Sequence, residues 1–326
     1  MNVTGTIVAL VSDSEERAVW EPIFTRMEEM SLLVEMHTIP RVVADLRNRG
    51  EVVSLVIIST RVYPLTHPKL ISQARQLFPE ANIMLMCLSS DPPPSLGPLL
   101  ADNVRHLLIN PVGGPHYDLH KVASLFDLSI RRLKNGTPLS MADYIRPGTT
   151  VHEFRLSSSE QKEDLIAELE KNIGGYSPEY EMLRMKGALL VDEMLENAFY
   201  AAPRGERAEP LYRKGEKRDL ADGENVVFRY GFDGETLALE VTDGWGTLSS
   251  EDLFAHLTQH CDTRGVHEEI GGRGLFIIWR FLDTLLVRLE PGKQTVIGGH
   301  ISLSTCDFLP EIKGFHITTA PCYGGN

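Results

Sequence analysis

TIVALVSDSEERAVWEPIFTRMEEM, residues 6–30, decides the architecture of the first half of the chain. The run TIVALVS (6–12) is short, apolar and rich in β-branched residues, which fits a buried strand. Cap-type serine and aspartate follow, then spaced apolar positions over 12–30, which fit a helix. The unit recurs. LLVEMHTI (32–39), VVSLVIIS (52–59), NIMLMCLSS (82–90) and VRHLLINP (104–111) read as further strands. RVVADLRNRG (41–50), HPKLISQARQLFP (67–79) and YDLHKVASLFDLSIRRLKNG (117–136) read as helices, with a proline-rich loop and a short segment after residue 90. Strands alternating with helices predict βαβ units and a parallel sheet covered on both faces.

KNGTPLSMADYIRPGTT (134–150) breaks the rhythm with Gly136, Pro138, Pro147 and Gly148. These residues place a boundary, giving a first domain over 1–136, a linker over 137–149 and a second domain over 150–326. MADYI suggests a short linker helix. The second half opens with the half-buried strand TVHEFRLSS (150–158), then the helix SSSEQKEDLIAELEKNIGG (157–175), with a serine cap and a glycine stop. YEMLRMKGALLVDEMLENAFYAAP (180–203) reads as a helix ended by Pro203, followed by a polar loop over 204–223. ENVVFRYGFDGETLALEVTDGWG gives two strands around Phe232-Asp233-Gly234-Glu235, a hairpin signal. HLTQHCDTRGVHEE reads as loop, IGGRGLFIIWRFLDTLLVR as glycines running into an apolar helix or helix–strand segment, and KQTVIGGHISLST as β-rich. Residues 307–326 read as less regular.

At 326 residues the chain exceeds one ordinary core, so two domains are expected. The net charge of −13 argues against a general nucleic-acid or anionic-membrane binder, which needs a basic footprint. It leaves room for a polyanion held in a local pocket with a divalent cation. The four cysteines, Cys87, Cys261, Cys306 and Cys322, are scattered without a CxxC, which suits a reducing compartment. The first residues carry no basic leader, and no stretch is long enough to span a bilayer. A soluble, cytoplasmic protein is expected.

Three pieces of the second half carry chemistry. Glu193 and Asn197 stand at i and i+4, so both side chains leave one face of the predicted helix. Val191, Met194, Leu195, Ala198 and Ala202 make its buried face, and Asp192, Glu196 and Tyr200 an adjacent polar stripe. An asparagine oxygen is a hard ligand suited to Mg²⁺, and a neighbouring carboxylate can orient or deprotonate a nucleophile. The strand LALEVTDGWG ends with Asp243, Gly244 and Gly246. An aspartate there accepts from an exocyclic amine such as adenine N6, and glycines let backbone approach a planar base. Gly271-Gly272-Arg273-Gly274 opens an apolar helix, whose free N–H groups and dipole suit a phosphate.

In this order and spacing the three pieces resemble the GHKL ATPase family, whose boxes are Glu/His-x-x-x-Asn, Asp-x-Gly-x-Gly and a glycine-rich stretch before a helix. The match covers about residues 150–303. The resemblance implies a mixed sheet with helices on one face, and ATP and Mg²⁺ as ligands. It implies Glu193 as general base or water-orienting group and Asn197 as the Mg²⁺ ligand. Asp243 would bind adenine with Gly246 beside it, Gly272 and Gly274 would lie against the phosphates, and Thr295 near the base. Arg273 either reaches a phosphate or faces water. HEFRLSSSEQKEDLIAELEKNI leading into the DExxxN helix most resembles the anti-sigma-factor serine kinase branch. The middle box, Asp-Gly-Trp-Gly, is one residue shorter than the family's, with Trp245 either stacking on adenine or filling core. His152-Glu153 lacks the following proline of a phosphoacceptor-histidine box, so an autophosphorylating histidine kinase is not expected.

The first half resembles the receiver domain of two-component signalling in its order of elements, although a flavodoxin-like domain of other ancestry satisfies the same order. Receiver chemistry is degraded here. Only Asp13 stands for the acidic pair, Ser59 replaces the phosphoacceptor aspartate, and Asn110-Pro111 replaces Lys-Pro; Ser89-Ser90 fits. A serine hydroxyl does not take phosphoryl from phosphohistidine as a carboxylate does, and the lysine's charge is gone. The combination implies a pseudo-receiver joined to an ATP-binding domain in a signalling protein. It is either a serine/threonine kinase acting on a partner signalling protein or a non-catalytic scaffold whose lid responds to nucleotide. A homodimer is compatible with either. His256, His260, Cys261 and His267 read as surface polar residues between two glycine boxes rather than a zinc site. The mixed-charge loop 204–223 reads as solvated, with partner docking as the alternative.

Overall fold

The run at 6–12 forms strand β1 (Thr6–Val11). In this computed structural model the described residues are 5–27, 31–63, 67–92, 94–110, 118–205, 209–259, 273–305 and 313–319. They fall into two compact units, Met1–Leu139 and Ser140–Asn326. In the first, β1 is followed by β2 (Ser31–Glu35), β3 (Val53–Ser59), β4 (Asn82–Leu88) and β5 (His106–Asn110). The strands are parallel in the order β2-β1-β3-β4-β5, which is the flavodoxin- and receiver-like order. Helices α1 (Ser14–Phe24), α2 (Ile39–Asn48), α3 (Leu70–Leu77), α4 (Leu96–Ala101) and α5 (Leu119–Lys134) connect or follow them.

Both faces of this sheet are covered. Ile7, Ala9 and Val11 alternate to one side, where Trp20 and Ile23 of α1 and Phe126 and Ile130 of α5 complete the core. Val8, Leu10 and Val56 point to the other side, toward Val43 and Leu46 of α2 and Leu70 and Ala74 of α3. Helix α1 starts where Asp13 accepts hydrogen bonds from the N–H groups of Glu15 and Glu16, at 3.0 and 2.9 Å. It ends at Phe24, short of the limit predicted at residue 30, and the Thr25 hydroxyl bonds back to the Glu21 carbonyl. Glu16 folds inward from α1 and is 1 % exposed. Its carboxylate accepts from the Ser59 hydroxyl, from Ser12 N–H at 2.7 Å and from Trp20 Nε1 at 3.4 Å. The end of β3 thus buries a serine–glutamate pair.

The second unit holds β6 (Val151–Leu156), α6 (Lys162–Asn172), α7 (Pro178–Glu196), β7 (Val226–Phe232), β8 (Thr236–Asp243), α8 (Ser250–Gln259), α9 (Arg273–Phe281), β9 (Thr284–Glu290), β10 (Gln294–Ser302) and β11 (Gly314–Thr319). Its strands run β11-β9-β10-β8-β7-β6, antiparallel except for the parallel pair β11–β9. The sheet is mixed, with α6 to α9 on one face. Register puts Leu237, Tyr230 and Phe315 on that face. Leu237 meets α7 at Gly187, where an added Cβ would stand 2.9 Å from it; Asn172 of α6 donates to the Tyr230 hydroxyl at 2.6 Å. Phe315 receives Phe254 of α8 and Trp279 of α9. The opposite face carries the short turn Met141–Tyr144, whose Met141 packs with Ile145 and Ala238. Two elements depart from the sequence reading. Helix α8 runs to Gln259, through residues read as loop, and the irregular tail supplies β11. Among the described residues no helix is long and apolar enough to cross a membrane.

Candidate functional site

Helix α7 is built to be held hard against the sheet. Leu183, Gly187, Leu190, Val191, Met194 and Leu195 bury one side, and Pro178 occupies its first turn, where a missing N–H costs nothing. After Glu196 the backbone widens into a π turn, Asn197–Ala201, closed by Ala202 N–H on the Asn197 carbonyl at 2.8 Å. Such turns are rare in helices and concentrate at functional sites. This one begins at Asn197.

The polar side of α7 gathers charge. The Lys162 ammonium of α6 hydrogen-bonds to Asp192 at 2.6 Å and to Glu196 at 2.7 Å. Burial works against that ammonium, but the two carboxylates outweigh it and raise its pKa above the ordinary lysine value. Asp192 and Glu196 are therefore occupied by a structural cation. Glu193 is not. Its side chain is 14 % exposed, and among the described residues its nearest cation is Lys214 at 4.0 Å, beyond hydrogen-bond length. Burial raises its pKa, with Lys214 pulling the other way.

Residues 77 to 81 positions apart in the chain meet here. A Cβ on Gly274, in the first turn of α9, would stand 2.8 Å from Glu193 Oε2 and 3.1 and 3.2 Å from the Asn197 amide atoms. Only a glycine lets the start of α9 approach the pair this closely. The Asn197 Nδ2 is buried and has no hydrogen-bond partner among the described residues. Arg273, at the first position of α9, is exposed. Gly272 lies outside the described residues.

Asp243 ends β8 and is 6 % exposed. Its Oδ1 accepts from Trp245 N–H at 2.9 Å and, more weakly, from Gly246 N–H at 3.4 Å. Burial pushes its carboxyl up to about 6, against the pull of those donors. Thr295, at the start of β10, is its cross-strand partner and is also buried. Gly246 has φ +58°, and an added Cβ would stand 2.4 Å from the Glu290 carbonyl. Its role is to seat the β9–β10 turn, which returns a hydrogen bond from Gly292 N–H to the Gly246 carbonyl at 3.0 Å.

Two groups had no signal in the sequence reading. Arg218, in the loop read as solvated, is 4 % exposed. It donates to the Phe199 carbonyl and to Glu224 at 2.7 Å, and its guanidinium lies over the rings of Tyr212 at 3.9 Å and Trp245 at 5.5 Å. Trp245 is half-buried under it. Lys214, on the same loop, reaches the polar side of α7. A close charge partner such as Glu224 for Arg218 could have hinted at burial, but short-range pairs of this kind are also common on surfaces. His256 is half-buried on α8, while His260, Cys261 and His267 lie outside the described residues.

No protein-family model matches the chain, and no curated protein matches it. Solved structures do. A pilus assembly-related protein from Burkholderia pseudomallei is similar over 43 % of this chain and 96 % of its own, at 12 % identity and a TM-score of 0.30. The RcsB response regulator of Salmonella typhimurium is similar over 58 % of this chain and 84 % of its own, at 9 % identity and a TM-score of 0.30.

Proposed function

We propose that the second unit binds Mg-ATP and that the chain is a serine/threonine protein kinase of the anti-sigma-factor type, regulated through its pseudo-receiver. The observation that carries the reading is the approach of Gly274 to Glu193 and Asn197. It sets a helix N-terminus, which favours phosphate, against a carboxylate and an amide. The Asn197 amide, with Nδ2 lacking a partner among the described residues, suits a ligand position, and its oxygen is the group that would hold Mg²⁺. ATP supplies the phosphoryl group and Mg²⁺ offsets its charge. Asp243 and Thr295, paired at one end of the sheet, suit the adenine edge. With a pKa of about 6, Asp243 is largely ionised at neutral pH and accepts from an exocyclic amine.

In this reading the acceptor hydroxyl oxygen bonds to the terminal phosphorus as the bond to ADP breaks. Glu193 takes the hydroxyl proton. Burial raises its pKa and so makes it a stronger base than an exposed glutamate. A non-catalytic, nucleotide-responsive scaffold is favoured instead by Trp245, which fills the turn where the family carries glycine. Thermal denaturation with and without millimolar Mg-ATP, using Asn197→Ala as the control, tests the binding. No stabilisation of the wild-type chain by Mg-ATP would sink the nucleotide reading. Labelled-phosphate transfer to candidate partners then separates the two functions: loss on Glu193→Ala supports the kinase, and transfer that survives it refutes the base assignment.

A further inference from the structure

Lys214 belongs to the loop between α7 and β7, and that loop is tied down on both sides of it. The Tyr200 hydroxyl donates to the Glu216 carbonyl. Arg218 N–H donates to Ser159 Oγ at 3.0 Å, and Ser159 N–H donates to the Arg218 carbonyl at 2.8 Å. The Arg218 guanidinium clamps Tyr212, two residues before Lys214. The backbone at 214 is thereby fixed beside α7, while the side chain stays 66 % exposed. Its ammonium stands 4.0 Å from Glu193 Oε2 and 3.6 Å from Glu196 Oε2. Neither distance is a hydrogen bond. Glu196 is already matched by Lys162, which is only 19 % exposed and committed to two carboxylates. Lys214 is thus a cation held near an acidic site without being consumed by it. The Glu193 oxygen it faces is the one that the first turn of α9 approaches through Gly274.

We propose that Lys214 is a phosphate-contacting residue that senses the terminal phosphate of a nucleoside triphosphate. The inference rests on the nucleotide reading above and adds selectivity to it. In the structure the ammonium offsets Glu193 and Glu196 as ion pairs just beyond hydrogen-bond length. A terminal phosphate at the start of α9 carries more charge than a carboxylate and offers several acceptor oxygens, so the ammonium turns to it on its flexible stem. A diphosphate ends one phosphate earlier and leaves Lys214 with the carboxylates. The site would therefore prefer ATP to ADP, and the preference would come from the loop that carries Lys214.

The test uses the full chain and isothermal titration with Mg-ADP and with a non-hydrolysable Mg-ATP analogue. For an exposed charge, Lys214→Met should weaken the triphosphate analogue about fivefold and leave ADP unchanged. Lys214→Arg, which keeps the charge, should restore most of the preference. An unchanged melting temperature shows that the variant is folded, as an exposed side chain without hydrogen bonds predicts. Equal weakening of both nucleotides, or of neither, overturns the role given to Lys214 while the nucleotide reading stands. A wild-type chain that binds neither nucleotide overturns the reading and the inference with it.

Discussion

Gly274→Ala separates fold from ligand at the point where α9 meets α7. The glycine sits in the first turn of α9 and does not use the left-handed region, so alanine fits its backbone. Alanine gains up to about 1 kcal/mol in a helix interior, and less in a first turn. Against this, the new methyl would stand 2.8 Å from Glu193 Oε2 and just over 3 Å from the Asn197 amide. The crowded atoms are side-chain ends, so they can swing aside at a rotamer cost of about 0.5–1.5 kcal/mol. The two terms nearly cancel. In a unit of this size 1 kcal/mol moves Tm by about 2–4 °C, so the variant should melt close to the wild type. Binding responds differently. A hundredfold excess of Mg-ATP over Kd stabilises by about 2.7 kcal/mol, which corresponds to a Tm rise of roughly 5–10 °C. The methyl displaces Glu193 and Asn197 from the helix start where the phosphates would lie, so this rise should collapse. Differential scanning fluorimetry with and without Mg-ATP reads both quantities in one experiment. A variant that melts normally and keeps the full ligand-induced rise would refute the placement of phosphate at α9.

Three further outcomes follow from the same geometry. Burial pushes Asp243 from 3.8 up to about 6. The native state therefore holds more protons than the unfolded chain in that window, and stability falls as pH rises through it. Asp243→Asn should be more stable than wild type at pH 7 by on the order of 2 kcal/mol, with the difference fading toward pH 4; urea denaturation at both pH values checks this, and Mg-ATP binding should be lost. Gly246→Ala forces a side chain into φ +58° and against the backbone of residues 290, 293 and 294. It should cost at least about 2 kcal/mol, read as a lower urea midpoint. Ser59→Asp places a second carboxylate against buried Glu16 and should destabilise the first unit by on the order of 3 kcal/mol. Adding Glu16→Gln should recover most of that loss in the same denaturation assay.

The parallel sheet was legible because its strands are buried on both faces and so read as unbroken apolar runs. TIVALV and VSLVIIS need no tertiary partner to be recognised. The pairing of Glu193 and Asn197 on one helical face was legible for a similar reason, since helical spacing alone sets it. What escaped depended on distant partners. The strand GFHITT is short and sits in a tail broken by prolines and glycines; pairing with β9 makes it β11. Helix α8 was hidden by His256 and the polar residues after it, although Ser249 caps it by accepting Asp252 N–H at 3.0 Å and its Leu253, Phe254 and Leu257 are buried. Arg218 escaped because a buried arginine is defined by its partners, and the Phe199 carbonyl and the Trp245 ring lie far from it in sequence.

Trp245 sits in the turn that holds Asp243. Here the turn is braced from two directions. From the α7–β7 loop, the Arg218 guanidinium lies over the Trp245 ring, and the Thr247 hydroxyl donates to the Ala202 carbonyl at 2.6 Å. From the other side, the β9–β10 turn closes on Gly246. Between these braces the N–H groups of Trp245 and Gly246 both face the Asp243 carboxylate. Bulk at position 245 is compatible with the aspartate's geometry because the ring is engaged by the loop that also positions Lys214. The same contacts make the end of α7, the loop and the Asp243 turn one connected structure. A change at the Arg218–Trp245 stack is therefore expected to disturb both the turn that holds Asp243 and the loop that carries Lys214, with packing rather than sequence proximity as the route.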